Sequence, residues 1–559
     1  MDNLPRFEGW DREALILHIK KLEKRKKYGL VWDIERSREE LEKISQNYLP
    51  VLSEVSENVI ISDPEKPTHV LIEGDNYHAL SVLNYTHEKK VDVIYIDPPY
   101  NRGLRDSNDF RYNDRYVDRE DAFRHSKWLS FMYKRLSLAK NLLKDSGIIF
   151  VSIDDNELFQ LKLLMDDIFG EENYKNTIII KRGAKNVQAQ FDTIDKLSSG
   201  YEYILFYSKT SAQRFPKMVK ELDQPKQGGW NNHWRGTDRP TMRYELFGIT
   251  PETGQWRWSK ERSLVAADNY ELMLSELEKK TEELTQQEID SWFMVKSVEA
   301  GEEIDLLRLS VNGKPEHYVP PTDTTLLNDV WFDFSPNSTS VLKSIFGKKV
   351  FDNPKPLELV KRICGFASKD AVILDFFAGS GTTAHAVMEL NKEDGGSRSV
   401  ILATNNENNI CVEVCYPRVK KVIEGYKNPK GSKIEGLGGN LRYYHTALVP
   451  AEPSDENKEI LTRHSVEMLC LREATFNFIT ETFWWKIYEN HSHYTAILFD
   501  QLAIPDLKEY LKKIGGPISV YIFSLEDADF SSEFRDMQDR ITICDIPEAI
   551  LRNYRRIFQ

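Results

Sequence analysis

Three short apolar runs near the start of the chain each stop on an acidic residue, and this alternation restricts the fold more than any other feature. His69-Val70-Leu71-Ile72 runs into Glu73-Gly74-Asp75-Asn76, Val91 to Ile96 runs into Asp97, and Gly147 to Ile153 runs into Asp154. Helical patterns lie between them, one through Ala79 to Leu83 and one from Leu129 to Leu143. A strand–helix–strand rhythm of this kind predicts an α/β fold, a Rossmann-like, doubly wound sheet of parallel strands. Ligands of such sheets lie beyond the carboxyl ends of the strands, where Asp75, Asp97 and Asp154 fall.

The rhythm stops and later resumes. Residues from about Asp11 to Ser56 read as helical, with an apolar stripe of Leu15, Ile16, Ile19 and Leu22 and a basic run, Lys20 to Lys27, that suits a solvated helix face better than a DNA contact. From about Asn176 to Phe346, tryptophan, glycine and basic residues cluster in 228–235 and 255–258, followed by a charged helix around Tyr270 to Phe293. The α/β pattern returns at Ala371 to Leu374, and a last α/β segment follows residue 446. The expected division is 1–60 (helical), 61–175 (first half of the sheet), 176–346 (insert), 347–445 (second half) and 446–559 (C-terminal domain).

With 40% hydrophobic and 29% charged residues among 559, the composition is that of a globular protein of several domains. No apolar run is long enough to span a bilayer, and no apolar signal core follows Met1. Five cysteines form no CxxC pair, which points to a cytoplasmic protein without structural metal. A net charge of -13 argues against tight non-specific nucleic-acid binding but leaves room for a local basic face.

Two motifs carry chemistry. Asp97-Pro98-Pro99-Tyr100 follows a buried strand. The prolines fix φ and stiffen the turn, Asp97 with a backbone carbonyl offers an acceptor pair for an amino group, and Tyr100 offers a flat face for an extruded base. A proline-rich turn of purely structural use would need neither the aspartate nor the tyrosine. Asp375-Phe376-Phe377-Ala378-Gly379-Ser380-Gly381-Thr382-Thr383 follows another buried strand and opens a helix. Its glycines allow close backbone approach to a ligand, and the helix start favours an anionic group. A phosphate-binding P-loop would need a lysine where Thr382 stands; a dinucleotide loop prefers a third glycine where Ala384 stands but also takes alanine there, so the loop alone leaves that reading open.

Together, and in this order, the two motifs resemble the β class of DNA amino-methyltransferases, in which a target recognition domain separates the catalytic and cofactor halves. Asp-Pro-Pro-Tyr leans toward adenine N6 over cytosine N4. Leu71-Ile72-Glu73-Gly74-Asp75-Asn76, Phe351-Asp352-Asn353-Pro354-Lys355-Pro356, Ala403 to Glu407, Cys415-Tyr416-Pro417-Arg418 and Tyr554-Arg555-Arg556-Ile557-Phe558 are similar to the modification subunits of Type III restriction systems. The resemblance implies S-adenosyl-L-methionine as cofactor and direct in-line methyl transfer to a flipped-out adenine of double-stranded DNA. It implies Asp97, Pro98, Pro99 and Tyr100 as catalytic residues. It implies cofactor contacts from Asp75, Lys355, Asp375, Phe376, Phe377, Ala378, Gly379, Ser380, Gly381, Thr382 and Thr383, with Asn405 and Glu407 standing where the family often carries a ribose-binding acid. A homodimer and a helicase-nuclease restriction subunit are the implied partners. A solitary methyltransferase and a silent DNA-recognition subunit are the alternatives.

Other residues admit plainer roles. Trp230, Trp234, Arg235, Trp256 and Arg257 suit a DNA surface or, for the tryptophans, a core. Asp154-Asp155 suits a capped turn better than a metal site. Cys364, Cys411, Cys415 and Cys470 suit buried positions, and Trp484 and Trp485 suit a core or a subunit interface.

Overall fold

The computed structural model describes residues 12, 15–16, 32, 39–103, 110–113, 115–182, 197, 199–237, 239–334, 338–490, 492–525 and 528–558. The chain splits into two compact units, Pro216–Asn328 and the remainder.

The larger unit is built on an eleven-stranded sheet. Its main strands are β1 (Tyr48–Glu54), β2 (Thr68–Glu73), β3 (Val91–Ile96), β4 (Leu143–Ile153), β5 (Tyr174–Lys181), β6 (Tyr201–Ser208), β7 (Val330–Trp331), β8 (Val372–Asp375), β9 (Ser399–Thr404) and β10 (Asn440–Pro450). Their spatial order is β1-β10-β2-β9-β8-β3-β4-β6-β5-β7. The six strands from β10 to β4 run parallel, whereas β1 and β6 join antiparallel at the flanks. Strands covered on both faces read as continuous apolar runs, and β2, β3 and β9 are almost wholly buried.

Chain direction across this sheet fixes where a ligand can sit. From β3 the chain steps outward to β4; from β8 it steps the opposite way to β9 and then past β2 to β10. The reversal falls between β3 and β8, which lie side by side with Val93 opposite Ile373 and Ile94 opposite Leu374. A crevice opens beyond the strand ends at such a reversal, and Asp97 and Asp375 are the residues there.

Helix α1 (Asn76–Thr86) starts from β2 because Asp75 accepts the Tyr77 backbone N–H at 2.7 Å. Helix α2 (Arg124–Leu142) leads into β4, and α3 (Thr382–Asp394) leaves the glycine loop. Beyond the sheet, five strands from Asn477–Glu481 to Ile541–Ile546 form a second sheet. Leu469, Ile550 and Tyr554 from this C-terminal part share one core with Leu80 of α1, so it is continuous with the larger unit. Cys364, Cys411, Cys415 and Cys470 are buried. Trp485 belongs to the C-terminal core, whereas Phe483 and Trp484 are exposed.

Three local expectations are corrected. The helical reading of 11–56 holds at Glu40–Asn47, but Tyr48–Glu54 is a strand that pairs along its whole length with β10. That pairing buries Leu49, Val51 and Leu52, and tertiary contact of this kind overrides local propensity. Ile19, Leu22 and the Lys20–Lys27 run lie outside the described residues. Within 176–346, β5, β6 and β7 belong to the main sheet, and the compact unit is the narrower Pro216–Asn328. In that unit the charged segment around Tyr270 to Phe293 is two helices, Lys260–Glu276 and Gln286–Ala300. The chain turns at Glu278, whose φ is +51°, and restarts at a capping box between Thr285 and Glu288. Two- and three-stranded antiparallel sheets complete the unit. No described helix is long and apolar enough to cross a membrane.

Candidate active site

The turn after β3 is clamped at both ends. The carbonyl of Pro99 accepts from the indole of fully buried Trp128 at 2.7 Å. Asn101, at φ +54°, donates to buried Glu157 at 2.5 Å and to the carbonyl of Arg124 at 3.3 Å. With two prolines also holding φ, the Asp97 carboxylate is delivered on a rigid support to the mouth of the crevice, where its side chain is 31% exposed.

Asp97 belongs to a closed set of four groups. The Tyr100 hydroxyl donates to Asp97 Oδ1 at 2.8 Å and lies 3.3 Å from Glu202 Oε2. Lys355 Nζ donates to the Tyr100 hydroxyl at 2.6 Å and to Glu202 Oε1 at 2.9 Å, and it lies 3.2 Å from Asp97 Oδ1. Burial pushes the Asp97 carboxyl above its ordinary range against the pull of Lys355. Burial draws Lys355 down, but Asp97 and Glu202 overcome this and hold its ammonium above the usual lysine value. Burial and the two carboxylates keep the Tyr100 phenol protonated. Lys355, expected at the cofactor, therefore stands against Asp97 and Tyr100. Sequence reasoning missed Glu202; its signal is a lone acid near the start of the apolar strand β6.

The glycine loop is held as firmly. Asp375 is 3% exposed, accepts the Phe377 backbone N–H at 3.0 Å and the Thr383 hydroxyl, and is pushed by burial up to about 7. The Phe376 carbonyl accepts from Asn76 at 2.9 Å. Asn76 is in turn gripped by the buried Arg135 guanidinium at 2.5 Å, which also reaches Asp75 at 3.3 Å and Glu39 at 3.0 Å. Arg135 thereby ties the β2 and β8 strand ends together. From the other side, buried Arg418 donates to the Ser380 carbonyl at 3.2 Å and to the Thr382 hydroxyl at 2.8 Å.

Gly379 and Gly381 sit at φ +50° and +74°, a region that favours glycine. A Cβ on Gly381 would lie 3.1 Å from Cys415 Sγ. Ala378 is buried and Phe377 packs on Phe131. Helix α3 begins with no side-chain cap and no acid in its first turn, so its first backbone N–H groups face the loop and favour a negative group. An acid-lined crevice, a loop open to close approach and an uncapped helix start together fit a ligand with a carboxylate at one end and hydroxyls at the other. At the end of neighbouring β9, Asn405 is exposed and Glu407 is ion-paired with Arg111.

Asp154 accepts from the Asn156 backbone at 3.0 Å and side chain at 2.8 Å, and so caps a turn. Among the described residues, no group of three His, Cys, Asp or Glu could hold a metal. In the smaller unit, Trp256 is 2% exposed and donates its indole N–H to the Tyr244 carbonyl. Trp230 packs on Tyr270 and Tyr318 beneath Arg308. Trp256 is thus a core residue, which corrects its DNA-surface reading, whereas Trp230 is half-buried and packs against the core of the unit. Trp234 is 40% exposed, Arg235 is exposed and Arg257 is half-buried.

The family model described as DNA methylase matches residues 91–414. The Type III restriction-modification enzyme StyLTI Mod subunit of Salmonella typhimurium is 35% identical over 391 residues, covering 63% of this chain and 56% of that one. The Type II methyltransferase M.KpnI of Klebsiella pneumoniae is 37% identical over 355 residues, covering 60% of this chain and 79% of that one. The chain spans little more than half the length of the StyLTI and the phage P1 EcoPI Mod subunits that it matches. Among solved structures, the PvuII cytosine-N4-specific DNA methyltransferase overlays with a TM-score of 0.33 at 10% identity, over 64% of this chain and 94% of that one. The matched region runs from the strand that carries Asp97 to a point beyond the glycine loop, over more than half the chain, and the chain belongs to the DNA methylase family.

Proposed function

We propose that this chain methylates DNA, transferring a methyl group from S-adenosylmethionine to N6 of an adenine turned out of the duplex. The observation that carries the reading is the placement of Asp97-Pro98-Pro99-Tyr100 and the glycine loop on adjacent parallel strands at the reversal of the sheet. When bound, the cofactor supplies an electrophilic methyl group. Asp375, Phe376, Ala378, Gly379 and Gly381 would hold it, the uncapped start of α3 at Thr382 and Thr383 would favour its anionic group, and Asp75, Asn405 and Glu407 would be further contacts.

The N6 lone pair of adenine is delocalised into the ring. Hydrogen bonds from N6 to the Asp97 carboxylate and to the neighbouring Pro98 carbonyl localise it and orient it for attack. Tyr100 stacks on the extruded base and helps offset the few kcal/mol that extrusion costs. The unit 216–328 recognises the target sequence, with Trp234, Arg235 and Arg257 as its contacts to double-stranded DNA.

Likeness to the Mod subunits supports a modification subunit that forms a homodimer and works in the cytoplasm with a helicase-nuclease subunit. Likeness to M.KpnI, at higher identity and over more of that protein's length, supports a second reading as a methyltransferase without such a partner. The test is transfer of labelled methyl to unmethylated bacterial DNA by the wild type and by Asp97→Ala. Label on adenine N6 that disappears in the variant supports the reading. Label confined to cytosine overturns the adenine assignment, and cofactor binding without transfer points to a recognition subunit.

A further inference from the structure

We infer that Glu202 is a positioning residue of the methyl-transfer site, sharing Lys355 and Tyr100 with Asp97 so that the Asp97 carboxylate stays a strong acceptor for the amino group of the target base. This rests on the function proposed above and adds to it a residue outside both sequence motifs.

The geometry is specific. All three Nζ–H donors of a lysine find partners here, in the Tyr100 hydroxyl, Glu202 Oε1 and Asp97 Oδ1. The Tyr100 hydroxyl has one proton to donate and lies within reach of both Asp97 Oδ1 and Glu202 Oε2. Lys355 and Glu202 are only 11% and 13% exposed, so water screens the set weakly. Two carboxylates therefore divide one ammonium. With Lys355 and Tyr100 both on Oδ1, Oδ2 is the oxygen left to accept from the base. If Glu202 carried no charge, Lys355 would neutralise Asp97 alone, and a fully paired carboxylate accepts more weakly from a third donor. Besides Lys355, Glu202 and Tyr100, the groups facing Asp97 are Tyr95 on its own strand and Asp375 on the neighbouring one. Among them only Glu202 touches both Lys355 and Tyr100. Its charge raises Asp97, and its loss lowers it.

The test is Glu202→Gln in the full chain, a change of nearly equal shape that keeps an acceptor for Lys355. Single-turnover methyl transfer falls about tenfold at neutral pH, while cofactor and DNA affinities stay within about twofold. The acid limb of the rate moves to lower pH, and Glu202→Asp restores part of the rate. Carbon-13 aspartate labelling, with Asp97→Asn to assign the signal, reads the same coupling without catalysis: the Asp97 midpoint moves to lower pH in Glu202→Gln. An unchanged rate and pH profile overturns the inference. So does a loss of rate that tracks a loss of cofactor affinity and melting temperature. A wild type that transfers no methyl group, with the Asp97 midpoint still lowered by the substitution, defeats the functional reading and leaves the Glu202 coupling standing.

Discussion

At the scale of single residues, burial raises the carboxyls that brace the turn after β3 and the glycine loop. Glu157 has a fully buried side chain that touches Asn101 and His125, and burial pushes it up to about 8. Asp375 is pushed up to about 7 by the same cause. The sign of the linkage follows. An acid whose folded value is raised holds its proton in the folded state after the unfolded chain has released it. Stability is then present at low pH and is lost as pH climbs from the ordinary carboxyl range through the folded value. For Glu157 that window runs from 4.5 to about 8, at about 1.4 kcal/mol per pH unit for one fully coupled group. Glu157→Gln removes the titration. Its melting temperature therefore exceeds that of the wild type at pH 8.5 and differs little at pH 5, and calorimetry across that range checks it. A variant that melts below the wild type at both pH values would show that the carboxyl is stabilising as the charged form.

At the scale of elements, the glycine loop joins a strand to a helix through a turn that only glycine adopts at low cost. Gly381→Ala places a Cβ at φ +74° and 3.1 Å from Cys415 Sγ, so backbone strain of about 1 kcal/mol and a displaced loop fall directly on the cofactor cradle. Cofactor affinity drops about fivefold, which a strain of roughly that size produces when it falls on the bound conformation. Gly395, at the other end of the same helix, has φ +69° with nothing near its Cβ position. Gly395→Ala lowers the melting temperature comparably and leaves affinity unchanged, as labelled-cofactor binding will show. The motif strands β2, β3 and β8 were legible in sequence within a residue or two because each is an apolar run closed by an acid. The pairing of β1 with β10 was not, because Tyr48 to Glu54 carries a proline and polar ends and is a strand only by virtue of its distant partner. Arg135, Arg418 and Glu202 were equally hidden. Periodicity reports which face is buried, not which remote carbonyl or carboxylate a buried charge will meet.

For the whole molecule, the crevice exists only once two stretches far apart in sequence lie side by side, since Asp97 comes from the first half of the sheet and Asp375 from the second. The segment between them departs after β6 and returns at β7, both beyond β4 on the same side of the parallel strands. The smaller unit closes on itself, with Val219 opposite Leu326 and the Leu327 N–H bonded to the Met218 carbonyl. Its two ends are adjacent, so the unit can be removed by joining Met218 to Leu327 through a short glycine-rich turn without opening the β6 to β7 connection. The sheet core, the Asp97 set and the Arg135 and Arg418 braces all belong to the part that remains. The shortened chain therefore folds, binds labelled cofactor with affinity close to that of the full chain, and loses sequence-specific DNA binding and site-specific methylation. Loss of cofactor binding would make 216–328 a structural part of the catalytic unit, and methylation retained at the same DNA sites would move target recognition elsewhere in the chain. If recognition does reside in that unit, Trp234→Ala and Arg235→Ala in the full chain weaken specific DNA binding by about 1–3 kcal/mol each where they touch bases and leave cofactor affinity unchanged. Equal weakening on every DNA sequence would instead assign them to the phosphate backbone.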